Sequence, residues 1–352
     1  MKQKRFTFLL LFVANLFCAS AQKWYTPEID QKVEDLLKQM TVEEKLGYIG
    51  GVNWMYTKSI DRLGIHRMKM SDGPQGLGTD GKSTAYPSTV TLAATWNENL
   101  AYQYGKALGR DCRARNVNVI LGPAVNIYRA PMCGRNFEYM GEDPYLTSRI
   151  CVGYIKGVQD QGVMATVKHF VANNSDYDRN NISNDIDERT LNEIYFPAYK
   201  AAIQEAEVGA VMTSYNLMNG IYTTENPWLL KEVLRNQWGF KGLVMSDWGS
   251  THYCVPAAKG GLDLEMAGGE KMNPKDMAYY LKTGDVTMDM VDEKVRHILR
   301  ILIAFGFKDG TQADKNIPLD DPKSAETALN VAREGLVLLK NENNILPLNP
   351  KK

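Results

Sequence analysis

Polarity along the chain repeats one grammar: a short apolar run, an abrupt polar residue, a loop, then a stretch with helical spacing. The clearest instance is GFKGLVMSDWGSTH at 239–252, where the apolar run 242–245 gives way to Asp247 and Trp248. A run this short, bounded by glycine and polar residues, has the pattern of a strand buried on both faces, as in parallel sheets. Further runs fit the same reading at 48–50, 65–70, 90–93, 117–121, 164–167, 210–213 and 262–264. Their polar ends include Asp72, Lys168 with His169, Tyr215 and Glu265. Between the runs, a helix is expected at 27–39 behind Pro27, and Thr41 with Glu44 forms a capping box for the next. Asn97, Asp143 before Pro144, and Asp187 stand as N-caps of helices ending near 115, 160 and 206. Others are predicted at 227–237, 274–282 and 287–305.

Strand, polar end, loop and helix, repeated over 22–306, predict a (β/α)8 TIM-like barrel. An open doubly wound sheet is the rival architecture. In a barrel with every strand parallel, Asp72, Lys168, His169, Tyr215, Asp247 and Glu265 meet on one rim, where barrel enzymes keep their chemistry. Helix capping explains any one of these polar ends equally well, Asp247 included. A lysine and a tyrosine make poor caps, which favours a shared pocket. Beyond 306 the texture changes: 307–322 is polar with two prolines and reads as a linker, 323–334 as a helix, 336–339 as an apolar strand. One helix and one strand cannot bury their own apolar faces. Residues 323–352 are therefore expected to begin an incomplete second α/β domain, or else to dock on the barrel.

Composition narrows the function classes. The 352 residues are 44% apolar, ordinary for a globular protein. Lys2, Lys4 and Arg5 precede the apolar run 6–17, and Ala19-Ser20-Ala21 has the small-residue spacing of a signal peptidase site. Residues 1–21 thus read as a leader too short to span a bilayer comfortably, and Cys18, behind the bulky Phe17, as a poor lipidation site. The mature chain is expected to be exported, to the periplasm or beyond. Without Lys2, Lys4 and Arg5 the 41 basic residues become 38 against 41 acidic, a net charge of −3. That balance supports neither nucleic acid nor a membrane surface as partner. Cys112, Cys133, Cys151 and Cys254 show no metal-ligand spacing and read as small buried thiols; no metal or cofactor is expected.

Carboxylates and cations beside Trp and Tyr suit a neutral polyhydroxylated ligand, bound by hydrogen bonds to vicinal hydroxyls and by stacking on the C–H face of a ring. Hydrolysis of a glycosidic bond needs two carboxyl groups. SDGPQG (71–76), NIYRAPMCGRNFEYMGEDPYL (126–146), KHFVANN (168–174), MTSYNLMNG (212–220) and GLVMSDW (242–248) stand in this order. Together they resemble the barrel domain of family 3 glycoside hydrolases, and REGLVLLKNENNILPL resembles the entry into that family's α/β-sandwich domain.

The resemblance implies a retaining β-glycosidase, in the first place a β-glucosidase, acting on terminal nonreducing β-D-glucosyl residues. Asp247 would be the nucleophile that carries the covalent glycosyl-enzyme. Asp72, Arg135, Lys168 and His169 would bind sugar hydroxyls, and Tyr215 and Trp248 would shape the pocket. Nearby Lys168 and Arg135 are expected to favour the ionised form of Asp247. Glu138 reads as a brace for Arg135, Glu265 stands at a strand end without a motif, and His252 reads as a loop residue. Two departures stand out: Gly78 replaces an arginine common after the DGP turn, and the loop VANNSDYDRNN lacks the acid-supplying histidine of single-domain members. The proton donor of two-domain members is a sandwich-domain glutamate, so it is expected outside these residues. Two other readings remain: a sugar-binding barrel without turnover, and an aldolase using Lys168 as a Schiff base.

Overall fold

The computed structural model describes residues 25–78, 81–310 and 312–351; the leader expected over 1–21, with Cys18, lies outside the described residues. Thr26 caps α1 (Pro27–Gln39), and the predicted box opens α2 (Val42–Tyr48), with Thr41 and Glu44 each bonding the other's backbone N–H. Next come β1 (Gly51–Val52), β2 (Tyr56–Thr57), β3 (Met70–Asp72), α3 (Thr89–Ala94), α4 (Glu98–Ala114) and β4 (Val119–Leu121). They are followed by α5 (Pro144–Gln159), β5 (Met164–Phe170), β6 (Ser183–Asn184), α6 (Glu188–Thr190), α7 (Pro197–Gln204) and β7 (Ala210–Thr213). The chain continues through β8 (Leu217–Met218), β9 (Ile221–Tyr222), β10 (Leu243–Met245), α8 (Cys254–Gly260), α9 (Pro274–Thr283), α10 (Met288–Ala304) and α11 (Pro322–Gly335). Asn97, Asp143 and Asp187 cap helices as their side chains predict.

The core is an α/β arrangement in which β3, β4, β5, β7 and β10 pair in parallel, spatial order following chain order. All seven residues of β5 are buried, as a central parallel strand covered on both faces requires. Beyond β10, Leu264 bridges Met245 in parallel and Glu265 bridges Gly50. Beyond β3, Lys69 pairs with Tyr56 in antiparallel sense, and β2 pairs antiparallel with β1. β6, β8 and β9 form a separate three-stranded sheet over the loop end of the parallel strands.

Several expectations fail, the first being the run at 48–50, whose Tyr48 ends α2 and which pairs only through a bridge at Gly50. The apolar run at 90–93 is not a strand but lies within α3, with Leu92 and Ala93 buried. Four apolar residues do not distinguish a strand from one turn of buried helix, and Ser88 and Thr91 close that turn through their hydroxyls. β3 pairs directly with β4, with nothing between them; the β1–β2 hairpin lies on the other side of β3 and is antiparallel, so not every strand is parallel. The run 336–339 also forms no strand: Leu336, Val337, Leu338 and Leu339 are exposed, with no neighbouring strand among the described residues. α11 itself is anchored on α3 and α4. Ser324 Oγ donates to the buried Asp111 at 2.8 Å, Tyr86 donates to the other oxygen at 2.8 Å, and Arg110 Nε bonds Asp321 at 3.0 Å.

α4 and α5 touch backbone to backbone because glycines face each other across the contact. A Cβ at Gly157 would overlap the Tyr102 carbonyl and stand 2.7 Å from Lys106 N, and one at Gly105 would overlap the Tyr154 carbonyl. Gly157→Ala is expected to destabilise the fold by about 1 to 3 kcal/mol through overpacking, read as a lower midpoint in thermal melts; an unchanged midpoint would contradict this packing.

Candidate active site

Because parallel strands end on one side, their polar ends meet. Lys168, near the end of β5, is 2.8 Å from Asp72 at the end of β3. Its Nζ lies 3.8 Å from Glu138, which is held in turn by Arg135 Nε at 2.5 Å. Arg135 completes the chain of charges by approaching Asp247, just past β10, with 3.8 Å between Nη1 and Oδ2. A cavity of about 350 Å³ opens over these groups, lined by Asp72, Arg135, Lys168, Tyr215, Asp247 and Trp248. It is also lined by Trp54, Met55 and Arg179, which sequence reasoning missed. Trp54 and Met55 belong to the β1–β2 turn, and Arg179 to the loop after β5, where no periodicity marks a residue as inward.

The loop carrying Arg135 is fastened from several sides. Thr89 Oγ1, on α3, donates to the carbonyl of Glu138 at 2.5 Å and of Tyr139 at 3.3 Å. Asn173 donates to the Tyr139 hydroxyl at 2.8 Å. The misread helix is therefore what positions the arginine. Glu138 does brace Arg135, as expected, while also facing Lys168. Glu265 takes no part in the cavity: its carboxylate accepts from the backbone N–H groups of Glu270, Lys271 and Met272 at 2.6 to 3.1 Å and closes that loop. His252 stacks on Tyr222 at 3.6 Å, a loop residue. Gly78 donates its N–H to the Asp72 carbonyl at 2.8 Å and offers the cavity no side chain.

His169 is fully buried behind the cavity wall. Its backbone N–H donates to Asn126 Oδ1 at 2.9 Å, and Asn126 Nδ2 returns a bond to its carbonyl at 3.0 Å, which fixes the amide orientation. Nδ1 then faces Asn126 Oδ1 at 3.3 Å, while Nε2 faces Arg135 Nη2 at 2.7 Å. A guanidinium can only donate, so Nε2 accepts and the ring proton sits on Nδ1. Burial and the positive charges of Arg135 and Lys168 push the imidazole well below its ordinary value. His169 is thus neutral and not the cationic partner of Asp247, although its Nε2 is 3.5 Å from Oδ2.

The charged groups divide by environment. Burial favours a neutral Lys168, but Asp72 and Glu138 outweigh it and raise the ammonium above the ordinary lysine range. Asp72 keeps 54% of its side chain open to the cavity, and Lys168 and Arg135 overcome its desolvation to hold it below the usual carboxylate range. Asp247 differs: burial raises it above the ordinary aspartate value against the pull of Arg135, Lys168, the Trp248 N–H and Tyr215. The cations limit a rise rather than produce the fall expected from sequence. Oδ1 accepts from Trp248 N at 2.7 Å, and Oδ2 has no hydrogen-bond partner among the described residues. Tyr215 lies beside it with its ring under Arg179 at 4.1 Å; burial and the Asp247 charge raise its phenol well above the usual range.

No cluster of His, Cys, Asp and Glu fit to hold a metal ion occurs among the described residues. Cys112, Cys133 and Cys151 are buried and Cys254 is half-buried. A carboxyl whose pKa rises on folding adds stability that is complete below the unfolded pKa and lost as pH rises through the folded one. Asp247→Asn is therefore expected to raise the melting temperature at pH 7 by about 2 °C. The gain should vanish in acid, and a gain that grows as pH falls would contradict the assignment.

Residues 39–301 match the glycosyl hydrolase family 3 N terminal domain. The chain is 42% identical over 322 residues to a beta-glucosidase of Rhizobium radiobacter, covering 90% of this chain and 39% of that protein. It is 40% identical to thermostable beta-glucosidase B of Acetivibrio thermocellus, covering 90% and 43%. Beta-glucosidase 3B of Thermotoga neapolitana, solved in complex with α-D-glucose, superposes with a TM-score of 0.83 at 37% identity, over 90% of this chain and 48% of that one. The chain thus spans less than half the length of these relatives, and by the match over 39–301 it belongs to glycosyl hydrolase family 3.

Proposed function

We propose that the chain carries the nucleophile half of an exported retaining β-glucosidase that removes terminal nonreducing β-D-glucosyl residues. The observation that supports this most is the cavity itself, in which a buried aspartate with one uncommitted oxygen faces a cation pair and an aromatic wall. In this reading Asp247 Oδ2 attacks the anomeric carbon and forms a glycosyl ester, which water later cleaves. Asp72, Lys168 and Arg135 meet the sugar hydroxyls with an acceptor and two donors in fixed relation. His169, whose Nε2 already accepts from Arg135, sets where that guanidinium points. Trp248 and Tyr215 bound the ring.

The proton for the leaving oxygen is proposed to come from outside these residues. Asp72 and Glu138 are both engaged with cations, and Asp72 is held ionised, so neither is a ready acid. That observation also favours a second reading, a sugar site without turnover on natural substrates. An aldolase is disfavoured, because a lysine held in its ammonium form by two carboxylates does not attack a carbonyl.

We further propose that the sheet closes as a (β/α)8 barrel. The bridges Met245 to Leu264, Glu265 to Gly50 and Tyr56 to Lys69, with the β1–β2 hairpin between, support that closure. The division into a leader at 1–21, a barrel at 22–306, a linker at 307–322 and the start of a second α/β domain at 323–352 is likewise proposed. The family match ending at 301 and the exposed apolar run after α11 support it.

Incubation with an activated 2-deoxy-2-fluoro-β-glucoside, whose leaving group needs no proton, followed by peptide mass spectrometry, is expected to find one sugar ester, on Asp247. Label on another residue contradicts the nucleophile assignment. Glucose binding by calorimetry without any label or turnover favours the second reading.

A further inference from the structure

After β9 the chain makes one helical turn, Thr223–Glu225, whose three side chains are buried and each bond a different residue or pair of residues. Thr223 Oγ1 accepts from Ser214 N at 3.1 Å and donates to the Ser214 carbonyl at 2.8 Å, which holds the residue before Tyr215. Thr224 Oγ1 donates to the Ser250 carbonyl at 3.1 Å. Ser250 in turn donates its N–H and its hydroxyl to the Asp247 carbonyl, at 3.1 and 3.0 Å. Glu225 Oε1 accepts from the backbone N–H groups of His252 and Tyr253, at 2.9 and 2.7 Å. Helix α8 backs the turn directly, since a Cβ on Gly260 would stand 2.7 Å from the Glu225 carbonyl carbon.

A carboxylate taken out of water is costly, and burial raises that of Glu225 above the ordinary glutamate value. No sugar contact accounts for it, because Glu225 does not line the cavity. We propose that Thr224 and Glu225 are positioning residues, which fix the loop 248–253 and through it the direction of the Asp247 carboxylate. The proposal rests on the reading of Asp247 as nucleophile. The link is the Trp248 N–H, which donates to Asp247 Oδ1 at 2.7 Å and leaves Oδ2 uncommitted. A shift of the loop turns that N–H and the carboxylate with it, and an attacking atom displaced by about 1 Å loses roughly a hundredfold in rate. Thr223 holds the segment of Tyr215 from the same turn, so the nucleophile and the phenol beside it are referred to one point.

The test separates reaction from binding on the full chain, using an activated 2-deoxy-2-fluoro-β-glucoside for the limiting rate of Asp247 labelling and glucose calorimetry for affinity. For Glu225→Met the expected result is a labelling rate lower by about 10- to 100-fold, with glucose affinity within about twofold of wild type. Both backbone N–H groups reach a single oxygen of Glu225, so the amide oxygen of Glu225→Gln can take its place and should restore most of the rate. Thr224→Val loses only the bond to Ser250 and is expected to slow labelling by about threefold, which carries the test should Glu225→Met fail to fold. Labelling at the wild-type rate in these variants, a glucose affinity that falls in step with it, or no rescue by glutamine overturns the proposal while leaving the nucleophile reading intact. Wild-type protein that takes no label on Asp247 defeats the nucleophile reading itself and this proposal with it.

Discussion

A lysine and an arginine taken out of water must each be answered by negative charge, and at this rim the answers come from different parts of the chain. Lys168 rests on Asp72 from β3 and on Glu138 from the loop after β4, while Arg135 is shared between Glu138 and Asp247. Removing Glu138 from such a buried set strands both cations, at a cost of roughly 3 to 5 kcal/mol. The network therefore ties the loop to the strand ends as firmly as packing does. It also leaves its charged groups with different roles. Asp72 is held ionised and partly open, Lys168 is held protonated, and Asp247 is buried with its charge only partly offset.

The surrounding fold serves that arrangement. Parallel pairing from β3 to β10 brings the strand ends to one side. Thr89 on α3 and Asn173 after β5 pin the loop of Arg135, and Asn126 fixes the tautomer of His169, so that a neutral imidazole accepts from the guanidinium. Glu265 spends its carboxylate on three backbone N–H groups, which explains a charged residue at a strand end that does no work in the cavity.

Much of this was legible in the sequence, for identifiable reasons. Apolar runs ending on Asp72, Lys168, Tyr215 and Asp247 betray buried parallel strands, since a strand covered on both faces leaves its polarity only at the tip. The run at 90–93 misled because four residues carry no period. The β1–β2 hairpin escaped because its strands are two residues each, with one buried and one half-buried residue apiece. Trp54 and Arg179 lie on loops, where inward direction depends on backbone path rather than spacing, and nothing short of the folded turn reveals them. The pull of burial on Asp247 was likewise invisible, because neighbouring cations can be read from a motif and desolvation cannot.

The central claim is that burial and the Arg135–Lys168 cations act against each other on one carboxyl. Carbon-detected NMR titration of the Asp247 side chain, in wild type and in Arg135→Met, measures this directly. The expected result is a midpoint above the ordinary aspartate value of about 3.9 in the wild type and a further rise in the variant. A wild-type midpoint below that value, or one that Arg135→Met leaves unmoved, would contradict it.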